Sequence, residues 1–92
     1  MKRANIIKGS LIIWCPACKK GHIINLNSVS TAINFESPTV DGWCHFDGCT
    51  FALMDGVIYY TIDSAHKYKG KNMHLPWLPD KYQFSIMDIF NR

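Results

Sequence analysis

Trp14-Cys15-Pro16-Ala17-Cys18 and Cys44-His45-Phe46-Asp47-Gly48-Cys49 hold all four cysteines of this 92-residue chain, and their reading decides the fold. Structural zinc is bound tetrahedrally by Cys and His, commonly as two pairs with two to four residues inside each pair. Cys15 and Cys18 enclose two residues; Cys44 and Cys49 enclose four, with Asp47-Gly48 as a turn signal. Each pair adjoins a strand-like run, the arrangement of a zinc ribbon. The spacing predicts a Zn2+ site with Cys15, Cys18, Cys44 and Cys49 as ligands, and with His22, His45 and His66 as alternates for one thiolate. Four cysteines also allow three disulfide connectivities.

Two other chemistries compete for the first pair. Trp14-Cys15-Pro16-Ala17-Cys18 looks like a thioredoxin-type redox motif, which needs its first Cys at a helix N-terminus where the thiolate is stabilised. Lys19-Lys20-Gly21 leads instead into His22-Ile23-Ile24-Asn25-Leu26, a strand-like run. His22 opens that strand and reads first as a histidine at a sheet edge, and second as a ligand.

Outward from the two knuckles the chain is β-rich. Ala4 to Lys8 and Leu11 to Trp14 read as strands around Gly9-Ser10, or as one bulged strand. The return from Cys18 through Gly21 makes a hairpin with a cysteine pair at its tip. Asn27 to Ala32 reads as loop, Ile33-Asn34-Phe35 as a brief strand, and Asp41-Gly42 as a turn before Trp43. The clearest hairpin is Thr50 to Met54, then Asp55-Gly56, then Val57 to Ile62, because a two-residue Asp-Gly loop between β-rich runs favours a type I′ turn. Ala65 to Lys71 reads as a basic turn. Leu75-Pro76-Trp77-Leu78-Pro79 reads as an extended arm with Trp77 in the core, since its prolines remove backbone donors. Tyr82, Ile86, Ile89 and Phe90 share a helical face behind Asp80 as N-cap. The expected fold is mostly β (small α+β): zinc-ribbon-like hairpins with a short C-terminal helix, residues 1–92 forming one domain.

Composition bounds the function. Nearly half the residues are apolar (48%), so the chain buries a core, but one of this length benefits from a staple. The net charge of +3 is too mild to announce a nucleic-acid binder. Charge is segregated, however: residues 1–20 carry Lys2, Arg3, Lys8, Lys19 and Lys20 with no acid, and residues 21–66 carry Glu36, Asp41, Asp47, Asp55 and Asp63 with no Lys or Arg. Lys67, Lys69 and Lys71 alternate, so on an extended segment they would share a face and could reach phosphates. No apolar run approaches about 18 residues, and no signal-peptide core or cleavage site is seen. A cytoplasmic protein with reduced thiols and no membrane contact is expected.

Cys15-Pro16-Ala17-Cys18 with His22, then Pro38-Thr39, a cysteine, Asp55-Gly56-Val57-Ile58, Asp63-Ser64-Ala65-His66, Gly70 and Leu75-Pro76 form a wider pattern. In these residues the chain resembles a small phage-encoded family of unknown function whose members often carry the label ammonia monooxygenase. The resemblance implies a phage origin, hence a host cytoplasm, and a metal site; it implies no activity. Family members have a Cys-His pair shortly before the Asp-Gly hairpin. Distance from Gly56 matches that cysteine to Cys49, and local sequence matches it to Cys44-His45, so three cysteines plus a histidine is the ligand set the resemblance adds.

The expected function is a small zinc-binding phage accessory protein, a non-enzymatic module for protein–protein interaction with a host protein. Two alternatives are a nucleic-acid-binding zinc ribbon using the basic N-terminus and the Lys67–Lys71 loop, and a metal-dependent hydrolase using Asp63 and His66. Trp14, Trp43, Trp77, Tyr59 and Tyr60 give an aromatic supply larger than the core needs, and aromatics are enriched at interfaces.

Overall fold

The computed structural model describes residues 1–25 and 34–83. Among these residues seven strands and one helical turn follow in chain order: β1 (Ala4–Ile7), β2 (Ser10–Cys15), β3 (Lys20–Ile24), β4 (Val40–Phe46), β5 (Cys49–Met54), β6 (Val57–Tyr60), β7 (Asn72–His74) and α1 (Asp80–Gln83). They form two antiparallel meanders, β1-β2-β3 and β4-β5-β6-β7. The mostly β fold with a short C-terminal helix is as expected. Of that helix the described residues include Asp80–Gln83 alone; Ile86, Ile89 and Phe90 lie outside them.

Turn chemistry sets the registers. Lys8-Gly9 and Asp55-Gly56 both take positive φ at their two residues (52° and 78°, 50° and 78°), so Ile7 pairs with Ser10 and Met54 with Val57. That is the type I′ geometry whose twist suits a two-residue hairpin. The first turn is therefore Lys8-Gly9, one residue before the Gly9-Ser10 expected. Gly56 is also boxed in: a Cβ there would meet Ser37 Cα at 3.2 Å, and its N–H donates to the Pro38 carbonyl at 2.9 Å.

Three expectations need correction. Asp41-Gly42 does not end an element; it lies in a bulge within β4, where the register shifts between Val40 and Cys44 and Gly42 has φ 79°. Asn34 and Phe35 are not in a strand, although the Phe35 carbonyl accepts the N–H groups of Arg3 and Ala4; Ile33 is outside the described residues. Trp77 does not enter the core: it is 41% exposed, with the Arg3 guanidinium 3.8 Å over its ring. Its neighbours Leu75 and Leu78 are the buried residues of the arm. Arg3 itself is spent on the Leu75 and Glu36 carbonyls, 2.9 Å each.

Strand alternation fills the centre. Leu11, Ile13 and Cys15 from β2, Ile24 from β3, Phe51 and Leu53 from β5, and Ile58 and Tyr60 from β6 are all buried in one core. The two sheets therefore face one another through these side chains. The pair is tied by Arg3 and by Lys2, whose carbonyl accepts the Leu78 N–H at 2.9 Å. Cys15 closes β2 and Cys49 opens β5.

Candidate metal centre

β2 delivers Cys15 fully buried, then stops because Pro16 supplies no donor for the ladder. The chain turns through Pro16-Ala17-Cys18-Lys19 and re-enters pairing at Lys20, opposite Cys15. Two backbone groups shape this loop around sulfur. Cys18 N–H points at Cys15 Sγ, 3.4 Å away, and Lys19 N–H donates to the Cys15 carbonyl at 2.8 Å. Lys19 takes a left-handed φ of 55° to close it. Both thiols thus end up on the inner side of one tip.

Period-two alternation along β3 then places His22 inward with Ile24, while Ile23 points out. The His22 ring lies flat on Phe46, with centroids 4.1 Å apart and 15° between planes, and Phe51 stacks beyond it at 5.8 Å. This clamp fixes the ring plane. From the second sheet comes Cys49, the first residue of β5 and 1% exposed, with its sulfur 3.9 Å from Cys15 Sγ.

Cys15, Cys18, His22 and Cys49 offer four ligand atoms that all lie within 4.8 Å of one another. This group can hold a metal ion. Zinc–thiolate bonds of about 2.3 Å in a tetrahedron put sulfurs about 3.8 Å apart, which the Cys15–Cys49 separation matches. His22 Nε2 supports the same reading: it is buried with no hydrogen-bond partner among the described residues, a state that costs about 1–3 kcal/mol unless something engages it.

Cys44 does not join this group. The two-residue Asp47-Gly48 turn pairs Phe46 with Cys49, so Cys44 falls opposite Phe51, two positions along the ladder. Two strand residues span about 7 Å, too far for both sulfurs to share one tetrahedron. The Cys44 thiol is buried in the core instead, and burial pushes its pKa up. His45 is exposed on the outer face of β4, 3.5 Å from Thr50 Oγ1. Of the three alternates the structure brings His22 to the cysteines, where the edge-strand position had favoured a plain structural histidine.

His66 lies beside the group without entering it. Ser64 Oγ donates to the Thr50 carbonyl at 2.9 Å and Ala65 N–H to the Gly48 carbonyl at 2.8 Å, clipping this segment to both flanks of Cys49. Asp63 is exposed on the preceding turn. Lys67, Tyr68, Lys69 and Gly70 wind into turns, with Lys69 N–H bonded to the His66 carbonyl at 3.2 Å and Lys71 N–H to that of Tyr68 at 3.0 Å. The segment is not extended, so alternation does not align its three lysines on one face.

Tyr60 is the residue that cysteine and histidine spacing could not reveal. Its hydroxyl is 3.1 Å from Cys15 Sγ and 3.4 Å from the Ala17 nitrogen, which donates to it. The available signal was alternation in Val57-Ile58-Tyr59-Tyr60, which turns Ile58 and Tyr60 inward.

These contacts divide the thiols. Burial pushes Cys15 up, but hydrogen bonds with His22, with Tyr60 and from Cys18 N–H outweigh it and bring the thiol from 9.0 down to about 6. Burial, then the neighbouring Cys15, raises Cys18. Burial and the Cys15 charge raise Cys49 further, and burial followed by the bond to Cys15 raises Tyr60. One thiolate is therefore ready at neutral pH, and the other two thiols ionise when a cation arrives.

Comparison with known proteins finds no matching family model, no matching curated protein and no matching solved structure. The motif resemblance drawn above thus rests on its motifs alone. No helix among the described residues is long and apolar enough to cross a membrane.

Proposed function

We propose that this chain is a zinc-stapled β module that acts by binding another macromolecule, a host protein if the chain is phage-encoded. The observation that carries the reading is the composition of the ligand group, three residues from the first sheet and one from the second. A metal there ties the two sheets together through β2, β3 and β5. Structural zinc in small domains contributes about 10–16 kcal/mol of apparent binding free energy, whereas a core of this size rarely supplies more than about 3–5 kcal/mol. Four protein donors fill a zinc tetrahedron and leave no position for a reactive water, which supports a structural role over hydrolysis.

The binding role is supported by what the staple leaves outside. Ile23 is 64% exposed on β3 and Trp43 is 59% exposed at the β4 bulge. Together they flank a cavity of about 220 Å³ beside Cys44, His45 and Phe46. Large apolar side chains exposed together mark interaction surfaces.

Metal analysis of the purified protein, paired with thermal melting before and after chelation, tests the staple. One zinc per chain and a cooperative melt that collapses on chelation are expected. A metal-free protein whose melting temperature ignores the chelator would refute the reading. The partner surface is tested by capture from host lysate with wild type and with an Ile23→Ser/Trp43→Ala variant of unchanged zinc content. Capture by both proteins alike, or by neither, counts against that surface.

A further inference from the structure

His66 presents a second unpartnered imidazole nitrogen next to the metal-competent group, and its chemistry is decided by the nitrogen on the other side of the ring. The Tyr68 backbone N–H donates to His66 Nδ1 at 3.2 Å. A nitrogen that accepts a hydrogen bond carries no proton, so in the neutral ring the proton sits on Nε2. Nε2 is buried and has no partner among the described residues. It is thus an N–H donor aimed into the protein with nothing yet to receive it.

The same tautomer disqualifies His66 as a ligand. A histidine that binds metal through one nitrogen carries its proton on the other and donates it to a neighbouring acceptor. Here the group facing Nδ1 is itself a donor, and binding metal through Nε2 would set two N–H groups against each other. The seat therefore belongs to His22, and His66 is left with a proton to give.

Two clips hold its segment against Cys49. Ser64 and Ala65 are bonded to Thr50 and Gly48, the residues on either side of Cys49. The Tyr60 ring meets His66 edge-on at 4.5 Å, while the Tyr60 hydroxyl reaches Cys15 Sγ. We propose that His66 is a positioning residue whose Nε2–H donates to the Cys49 thiolate when the metal is bound, just as the Tyr60 hydroxyl serves Cys15. Each thiolate that bridges the two sheets then has one dedicated donor from the loop-and-strand region 60–66. A charge-assisted bond of this kind both orients the sulfur and lowers its tendency to leave the metal for a proton or an electrophile.

This inference rests on the metal-module reading, and one set of measurements separates the two. In full-length protein loaded with cadmium-113, nitrogen-15 NMR is expected to show scalar coupling from the metal to His22 and none to His66, with His66 protonated at Nε2. Chelator competition of zinc-loaded variants gives the second readout. His66→Phe is expected to weaken zinc by about 10–100-fold, the usual effect of losing an outer partner of a ligand; His66→Gln, which keeps a side-chain N–H, is expected to recover most of it. Metal coupling to His66, a proton on Nδ1, or His66→Phe and His66→Gln behaving alike overturns the role of His66 while leaving the metal module intact. A protein that takes up neither cadmium nor zinc overturns both. The NMR arm uses the unaltered chain, so it decides the question even where His66→Phe fails to fold.

Discussion

The β2–β3 and β4–β5 hairpins each carry two cysteines, yet they contribute unequally to the metal-competent group. In the first, four residues separate the paired positions Cys15 and Lys20, and the loop curls back so that Cys18 returns beside Cys15. In the second, two residues suffice, pairing Phe46 with Cys49 and sending Cys44 down the ladder to face Phe51. A knuckle brings its cysteines together by leaving the strand; a tight hairpin keeps its cysteines in the strand and apart. Loop geometry, and not the count of intervening residues, therefore decides how many donors a pair supplies. The missing donor comes from His22, which the first hairpin carries three residues past its loop.

The largest predicted effect tests this inequality directly. Cys49→Ser is expected to abolish stoichiometric zinc and to unfold the protein at temperatures where wild type is folded. Cys44→Ala is expected to keep one zinc per chain and to cost only about 1 kcal/mol of packing, read from denaturant midpoints. Equal zinc loss in the two variants would erase the distinction between the hairpins.

Next in size is the response to pH. Metal displaces thiol protons, so affinity rises with pH wherever the free protein still holds them. Cys18 and Cys49 are held above the ordinary 9.0, and Cys15 is down at about 6. Between pH 6 and 9 uptake should release the Cys18 and Cys49 protons, and the apparent affinity should climb by about 100-fold per pH unit. Below pH 6 the Cys15 proton joins them and the slope steepens. Calorimetry in buffers of different ionisation enthalpy counts these protons; release of three at pH 8 would show that the first hairpin does not prepare its thiolate.

His22→Ala sharpens the comparison from the histidine side. Zinc affinity should drop by at least about 100-fold, because a tetrahedral site loses one of four donors. Cobalt substitution offers a spectroscopic check: the wild type should show tetrahedral bands with three-thiolate charge-transfer intensity, and His22→Ala should lose the four-donor pattern. Unchanged spectra would return the fourth seat to Cys44.

The smallest effect concerns Tyr60. Tyr60→Phe removes the hydroxyl bonded to Cys15 Sγ. One such bond is worth about 1 kcal/mol, so the Cys15 thiol should climb by about one pH unit from its value near 6. Alkylation at pH 6.5 of the metal-free protein, held well below its own melting temperature, should slow several-fold at Cys15 and remain unchanged at Cys44.

Much of the fold was legible in the chain because its turns carry local chemistry. Asp55-Gly56 fixes a type I′ hairpin through φ angles that Gly and Asp tolerate, and alternation around it points Ile58 and Tyr60 inward whatever lies opposite. The pairing of Cys15 with Cys18 was equally local, since both ends of a two-residue knuckle depend on the same few dihedrals. Trp77 and the Asp41-Gly42 bulge were misread for the opposite reason. Arg3, 74 positions earlier, holds Trp77 at the surface, and the bulge exists because β4 must keep register with β5 on either side of it.

The candidate site divides along the same line. By itself the sequence determined that two cysteine pairs adjoin strand ends, enough to expect a metal, and it favoured all four thiols as the ligands. Only the tertiary structure decided the fourth member of the metal-competent group. Cys44, His45, His22 and His66 all lie within reach by chain length, and nothing local ranks them. The ranking comes from the two-residue turn that strands Cys44 and from Phe46 and Phe51, which clamp His22 over the site. It is completed by the Tyr68 N–H, which leaves His66 the wrong tautomer to bind. Ligand choice is a competition between distant segments for one small volume, and packing between the sheets settles it.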